Sequence, residues 1–273
     1  SDGGSAINIS PNAKPGNSVS TNSVVVGYQN DSTGGPSNEN GKIIYGANNT
    51  ANRESSLAIG NQNTASHKST SAIGVGNTAS GEASVALGNA NTASGDRSIA
   101  IGSGALANQG AAIAIGRQAE ATGSSAVAVG YVNKAKKNVA VALGVNNDVD
   151  GEESTAVGSS NTIATNANQA SVIGRKNKVN RAGSFVGGFS NVTNGERNVA
   201  VGSENTTTGE DSIGIGTKVI AGTGKTIAIG SVASNNGTTI QTIARGNDTV
   251  NTATGQVNNI FALAIGNGAQ ADG

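Results

Sequence analysis

A glycine that returns every fourteen residues is the feature that most constrains this chain. It closes a tetrad of small apolar residues, as in Val85-Ala86-Leu87-Gly88 and Ile99-Ala100-Ile101-Gly102. Thirteen such units align, with one step of 16, and their glycines are Gly60, Gly74, Gly88, Gly102, Gly116, Gly130, Gly144, Gly158, Gly174, Gly188, Gly202, Gly216 and Gly230. Self-similarity at a fixed period is the sequence signature of a repeat architecture.

The length of the unit indicates the kind of repeat. Fourteen residues hold two strands of about five residues and two tight turns, so each unit predicts one coil of a parallel β-solenoid. The composition agrees, since β-branched Ile and Val far outnumber Leu and favour strands over helices. We therefore predict an all-β fold, a parallel β-roll with 14-residue coils.

The second strand of each coil is marked by an asparagine three residues after the glycine and by a small apolar residue two positions later, such as Ala65 or Ala79. Stacked coils place equivalent residues ~4.8 Å apart, where identical Asn side chains can hydrogen-bond along the stack. Nine of the thirteen units have this asparagine: Asn63, Asn77, Asn91, Asn133, Asn147, Asn161, Asn177, Asn191 and Asn205.

The period loosens towards both ends of the chain, which predicts three regions within one domain. Residues 1–50 are expected to form an irregular cap and decorated first coils, residues 51–230 the regular roll, and residues 231–273 decorated last coils. The two extra residues between Gly158 and Gly174 predict a longer loop within the regular region.

The tetrad indicates a strand that is shielded from solvent on both faces. The residues one and three before the glycine share a face, and the residue between them, Ala in ten of thirteen units, looks the other way. The second strand of the coil can cover one face. Because the sequence predicts no helices, a second copy of the chain is the simplest partner for the other face. The sequence leaves open which face is the lumen, but we expect Ile and Val to fill it. The residues expected in the core or the seam between chains are Ala58, Ala86, Ala100, Ala114, Ala128, Ala142, Ala200, Ala228, Ile101, Ile115 and Ile229.

Charge and composition exclude several functions. Seventeen basic and seventeen acidic residues give no net field to attract nucleic acid or an anionic membrane. Zero Cys and a single His, His67, exclude thiolate zinc sites and His-based triads, so no metal or cofactor is expected. No apolar run approaches the ~18 residues of a membrane helix, and we expect no direct membrane contact. With no Met, the chain is expected to be an excised soluble fragment.

The units Ser84-Val85-Ala86-Leu87-Gly88 and Ser98-Ile99-Ala100-Ile101-Gly102 resemble the head repeat of trimeric autotransporter adhesins of Gram-negative bacteria, of the YadA-like kind. The resemblance covers roughly residues 23 to 273. It implies a left-handed β-roll, a homotrimer, and a rigid trimeric rod on a stalk outside the outer membrane that binds host extracellular matrix or a host-cell receptor. The collagen-associated form of the motif has Asn before the Ser, where this chain has Ala83 and Arg97.

Charged residues give the candidate ligand-binding positions. Lys134 and Asp148 occupy one coil position a unit apart, as do Lys136 and Asp150, so each pair is expected to stack as partners. The alternative is two basic bands on either side of an acidic coil, able to hold sulfated glycans or an acidic receptor. The candidate residues are Lys134, Lys136, Lys137, Arg175, Lys176, Lys178 and Arg181.

Two other functions compete with adhesion. A solenoid enzyme acting on polysaccharide would need a clustered acid and base set, and a hexapeptide-type acyltransferase would need a six-residue period and a catalytic His. An ice-binding or surface-template protein is suggested by the column Thr64, Thr78 and Thr92, which Leu106 and Glu120 interrupt. The sequence therefore favours a non-enzymatic adhesin.

Overall fold

The computed structural model describes residues 6–10, 19–20, 22–34, 40–222, 225–231, 234–235, 242–247, 250–252, 262–265 and 270–272. The chain divides into two compact units, Ser1–Ala135 and Lys136–Gly273. Each unit is a parallel β-solenoid in which a long strand and a short strand alternate along the chain. The all-β solenoid with 14-residue coils is thereby confirmed.

The described residues of the first unit form sixteen strands. They are β1 (Ile7–Ile9), β2 (Ser23–Tyr28), β3 (Lys42–Ala47), β4 (Thr50–Ala51), β5 (Leu57–Asn61), β6 (Thr64–Ala65), β7 (Ser71–Val75), β8 (Thr78–Ala79), β9 (Val85–Asn89), β10 (Thr92–Ala93), β11 (Ile99–Ser103), β12 (Leu106–Ala107), β13 (Ile113–Arg117), β14 (Glu120–Ala121), β15 (Val127–Tyr131) and β16 (Lys134–Ala135).

The described residues of the second unit form eighteen strands. They are β17 (Val141–Val145), β18 (Asp148–Val149), β19 (Thr155–Ser159), β20 (Thr162–Ile163), β21 (Ser171–Arg175), β22 (Lys178–Val179), β23 (Phe185–Phe189), β24 (Val192–Thr193), β25 (Val199–Ser203), β26 (Thr206–Thr207), β27 (Ile213–Thr217), β28 (Ile220–Ala221), β29 (Thr226–Ser231), β30 (Ser234–Asn235), β31 (Thr242–Asn247), β32 (Val250–Thr252), β33 (Ala262–Ile265) and β34 (Gln270–Asp272).

In each unit the long strands form one parallel sheet and the short strands form another, and equivalent residues of successive coils are paired. Between β9 and β11, for example, Ala86 pairs with Ala100 and Gly88 with Gly102. Between β8 and β10, Thr78 pairs with Thr92. In the regular coils the second strand is two residues long, not the expected five, because two corners occupy the rest of the coil.

Each coil bends at two corners whose residues have left-handed backbone conformation. In the coil that starts at Gly88 these are Ala90 and Arg97, with φ of 54° and 57°. This conformation directs the corner amide along the stack, and the Ala90 N–H donates to Val75 O of the preceding coil at 2.9 Å. The corners thus satisfy backbone groups that a bend would otherwise leave without partners.

The glycine column explains why the repeat ends in this residue. Gly88 has φ of +124°, and a Cβ on it would lie 2.1 Å from the Gly102 carbonyl oxygen. The conformation is one that side chains rarely adopt, and the space is filled by the next coil. A residue with a side chain would therefore break the stacking of the coils.

The interior of the roll is lined mainly by alanines, with Val or Ile in a minority of coils, as at Ile44 and Val172, so the expectation that Ile and Val fill the lumen is wrong for most coils. All eight of the alanines expected in the core or seam are fully buried within the single chain: Ala58, Ala86, Ala100, Ala114, Ala128, Ala142, Ala200 and Ala228. Ile101 and Ile229 are only half-buried, and Ile115 is 36% exposed, because they lie on the opposite face. A coil with one five-residue and one two-residue strand encloses little space, and small side chains fill it.

Buried asparagines line the same interior and confirm the predicted ladder. The Asn77 side-chain amide donates to Asn63 Oδ1 at 2.9 Å, to Ile73 O at 2.9 Å and to Gly88 O at 2.7 Å. Its own Oδ1 accepts from the backbone N–H and the side-chain amide of Asn91. The buried Asn77 side chain is therefore satisfied by the coils before and after it.

The N-terminal coils continue this ladder and contain a buried lysine that the sequence analysis did not single out. Asn49 donates to Asn30 Oδ1 and Asn63 donates to Asn49 Oδ1, extending the column to Asn30. Lys42 is 2% exposed, and its ammonium donates to Ser32 O at 3.1 Å and Gly34 O at 3.4 Å. Where Lys42 lies, later coils have Ser56, Thr70 or Ser84, and this departure from the repeat was the available signal.

Candidate binding surface

The outer face of the long-strand sheet is apolar and uncovered in the single chain. It is built from the residues one and three before each glycine, which we call the apolar face. Several of its large side chains are substantially exposed: Ile43 47%, Tyr45 60%, Leu87 39%, Ile115 36%, Ile173 54%, Phe185 42% and Ile215 38%. The short strands pack against the inner face of this sheet. No described residue of either unit covers the outer face. Contiguous exposed apolar surface of this kind marks an interaction site.

The outer face of the short-strand sheet is polar and varies from coil to coil. The position next to each buried alanine is Thr92 in β10, Leu106 in β12 and Glu120 in β14. All three are half-buried on the surface. Because the fold does not dictate these residues, this face can vary for recognition.

The first group of candidate basic residues is neutralised by neighbouring carboxylates. Lys134 lies 3.4 Å from Glu120, Lys136 lies 2.6 Å from Asp148, and Lys137 lies 3.8 Å from Asp150. The expected pairing of Lys136 with Asp150 is wrong, because the ion pair runs diagonally to Asp148. These lysines therefore form salt bridges on the surface and not an open basic band.

The second group lies together on one coil, which we call the basic coil. Arg175 ends β21, Lys176 occupies the corner after it, Lys178 is on β22, and Arg181 lies in the next turn. All four side chains are exposed, and within the described ranges no carboxylate lies within ion-pair distance of any of them.

Two arginines stack on aromatic rings one coil further along, a feature that the sequence analysis missed. The Arg175 guanidinium lies 4.8 Å from the centre of the Phe189 ring, and Arg117 lies 5.5 Å from that of Tyr131. In both cases the Arg directly follows the glycine of its coil and the aromatic residue follows 14 positions later. That spacing was the signal, since it places the two side chains in neighbouring coils.

A cluster around Arg197 is the most strongly paired charged group in the described part of the second unit. Arg197 Nε donates to Asp211 Oδ1 at 2.6 Å and Nη2 donates to Oδ2 at 3.2 Å. This hydrogen-bonded contact holds the pKa of Asp211 below its ordinary value. The contact joins two successive coils and is structural in character.

The longer loop predicted between Gly158 and Gly174 lies at residues 165–169. Together with Glu152, Glu153 and Ala182, Asn168 and Gln169 of this loop line a shallow depression. Both carboxylates bind neutral amides here, since Asn138 donates to Glu152 at 3.2 Å and Gln169 donates to Glu153 at 3.0 Å. The described residues contain no group of acidic, His or Cys residues arranged to hold a metal ion.

The repeat matches the model of a protein family described as YadA head domain repeat (2 copies). The matches cover residues 46–63, 51–77, 79–105, 107–132 and 139–161. Together with the parallel solenoid, these matches within residues 46–161 support a YadA-like head domain.

A YadA-like head indicates a trimeric autotransporter adhesin at the cell surface, and heads of this family are typically non-enzymatic. The comparison with curated proteins found no match. No helix among the described residues of the chain is long and apolar enough to cross a membrane.

Proposed function

We propose that the chain is the head of a homotrimeric adhesin that is displayed outside the outer membrane of a Gram-negative bacterium. It binds a host extracellular-matrix protein or a host-cell receptor. The single observation that supports this is the apolar face, which the roll builds in coil after coil and leaves uncovered. The left-handed winding implied by the resemblance stays a prediction.

The apolar face is best buried against a second and a third copy of the same chain. Each coil presents the same kind of surface at the same height, so identical chains placed around an axis bring Ile115 next to Ile115. Burying half-exposed Ile and Val side chains contributes about 25 cal/mol per Å² of apolar surface. The trimer therefore gains stability with every coil that it contains.

The surfaces left open for a host ligand are the short-strand face and the corners. Their residues change from coil to coil, whereas the buried columns stay nearly constant. A rigid scaffold with variable exposed residues suits a binding module.

The oligomeric state tests the proposal directly. Light scattering of the purified chain should give three times the 26.5 kDa of one chain. A mass near one chain at micromolar concentration would contradict the trimer.

Two matched double variants locate the seam. Ile101→Glu with Ile115→Glu puts carboxylates on the apolar face and should shift the mass towards one chain, because six charges would face each other in a trimer. Thr92→Glu with Leu106→Glu is the control, since Glu120 already occupies the same column. Equal dissociation by both pairs would place the seam elsewhere.

Adhesion itself is measured by binding of the wild-type trimer to immobilised matrix proteins and to host cells. Retained binding is expected for the trimer and weakened binding for the dissociated variant, because three copies engage a surface together. Absence of binding to every matrix protein and cell type would argue against an adhesin.

A further inference from the structure

The four cations of the basic coil have no carboxylate within ion-pair distance among the described residues. Salt bridges link Lys68, Lys134, Lys136, Lys137, Arg197 and Lys218 to nearby carboxylates. None of the ion pairs of the described residues involves the basic coil. It therefore concentrates four positive charges within the ~4.8 Å height of one coil, although the whole chain is neutral.

The carboxylates nearest in the sequence are already engaged elsewhere. Asp148 pairs with Lys136, and Asp150 accepts from Thr165 Oγ1 at 2.6 Å and lies 3.8 Å from Lys137. Glu152 and Glu153 accept from amide side chains, as described above. Asp148 and Asp150 therefore pair with Lys136 and Lys137, and none of these four carboxylates forms an ion pair with the basic coil in the described part of the chain.

The coils on either side of the basic coil are neutral at the equivalent exposed positions. The preceding coil has Ser159, Ser160 and Thr162 there, and the following coil has Phe189 and Ser190. Hydroxyl groups can bind sugar hydroxyls and sulfate oxygens beside a row of cations. The equivalent positions of the two neighbouring coils therefore offer polar contacts and no negative charge.

We propose that the basic coil binds a sulfated glycosaminoglycan chain of the host surface. The four cations follow one another around a single turn, so a linear polyanion can contact them in succession. The Arg forks match the oxygen geometry of a sulfate group, and the ring of Phe189 holds Arg175 in place.

An acidic protein fits this surface less well than a polysaccharide. Stable protein interfaces depend on aromatic or Arg anchors that enter pockets. The described depression next to the basic coil is shallow and lined by Glu152 and Glu153. A polyanionic chain needs exposed cations and no pocket, so the observations favour the glycan.

The inference deepens the proposed adhesin function and rests on it, because a trimer would present the basic coil three times at one height. A long glycan could then engage more than one copy, which raises the apparent affinity without new contacts.

The first experiment titrates the wild-type chain with heparin, with completely desulfated heparin and with an acidic polypeptide. Heparin is expected to bind in 150 mM salt and to weaken steeply as salt rises, since binding releases counterions. Desulfated heparin should bind at least about tenfold more weakly. Equal binding of both polysaccharides, no binding of heparin, or preference for the polypeptide would overturn the inference.

The second experiment compares two triple variants that remove the same charge. Arg175→Ser, Lys176→Ser and Lys178→Thr copy residues of the preceding coil and should weaken heparin binding about ten- to hundredfold. Lys134→Thr, Lys136→Ser and Lys137→Gln is the matched control and should change it less than about threefold, because those lysines are already paired. Equal losses in both variants would refute a site on the basic coil.

Adding Arg181→Gln to the first triple should weaken binding further, since Gln109 occupies that position in another coil. Circular dichroism establishes that each variant is folded. If the chain is trimeric and adheres to cells but does not bind heparin, the inference of a glycosaminoglycan site fails while the proposed function stands. If it neither trimerises nor adheres, the proposed function fails with it.

Discussion

The inside and the outside of one coil follow opposite rules. In the coil that starts at Gly88, this glycine pairs with Gly102 of the next coil and leaves no room for a side chain, and the buried Ala93 pairs with another alanine. One position away, Thr92 is followed by Leu106 and then Glu120 on the surface. The difference teaches that the interior encodes the winding, whereas the exterior is available for binding.

The largest effect is expected in the glycine column. Gly88→Ala should lower the free energy of unfolding by about 4 kcal/mol or more, because backbone strain adds to the overlap of the new Cβ with Gly102 O. Chemical denaturation measures this loss.

The control for that variant is Gly76→Ala, two residues after another glycine of the column. Gly76 has φ of +65° and nothing within 4 Å of its added Cβ, and Ala90 adopts the same conformation one coil later. A loss of about 1 kcal/mol is expected. Equal losses at Gly76 and Gly88 would show that contact between coils does not limit the glycine column.

A smaller but still clear effect is expected in the asparagine ladder. Asn77→Ala should cost about 3 kcal/mol, since it leaves Ile73 O, Gly88 O and the Asn91 amide short of buried partners. Its neighbour Thr78 lies on the outer face, and Thr78→Ala should cost no more than about 0.5 kcal/mol. If the two variants melt at the same temperature, the contrast between interior and exterior does not hold in this coil.

The smallest effect is expected at the exposed Arg197–Asp211 contact, and it depends on pH. The hydrogen bond from Arg197 lowers the pKa of Asp211 in the folded chain from its ordinary value of 3.8. A lowered pKa stabilises the fold above the unfolded value, and this contribution disappears as pH falls through the folded value. Wild type should therefore melt slightly above Asp211→Asn at pH 7.

The same two proteins should melt together once the pH lies below the folded pKa of Asp211. Glu210→Gln is the control, since Glu210 lies 3.7 Å from Arg197 and its side chain is 69% exposed. A difference between wild type and Asp211→Asn that grows in acid would contradict the assigned direction.

The period was enough to predict the winding, the stacked register and the asparagine ladder. Each of these follows from placing Gly88 beside Gly102 and Asn77 beside Asn91, which needs only counting along the chain. Counting positions along the repeat does not show which face of the long strand points to the interior. Large apolar side chains normally mark a core, but the lumen between such short strands admits Ala100 and not Ile101.

The candidate binding residues show the same limit. The sequence placed Lys136 and Asp150 in one column, yet long side chains reach diagonally and Lys136 pairs with Asp148. Counting positions gives the column of a residue, whereas the direction of a flexible side chain depends on all neighbours. Whether the basic coil forms ion pairs with the described carboxylates therefore depends on side-chain directions that the sequence does not give.

The exact registration of coils has a consequence for how such a head changes over evolutionary time. Deleting the stretch from Asn89 to Gly102 would join Gly88 to Ser103 and bring β9 beside β13, restoring the pairings of the lost neighbour. Gene segments that encode whole coils can thus be lost or duplicated while the pairing between neighbouring coils stays the same. The number of coils in the head becomes a quantity that recombination can adjust.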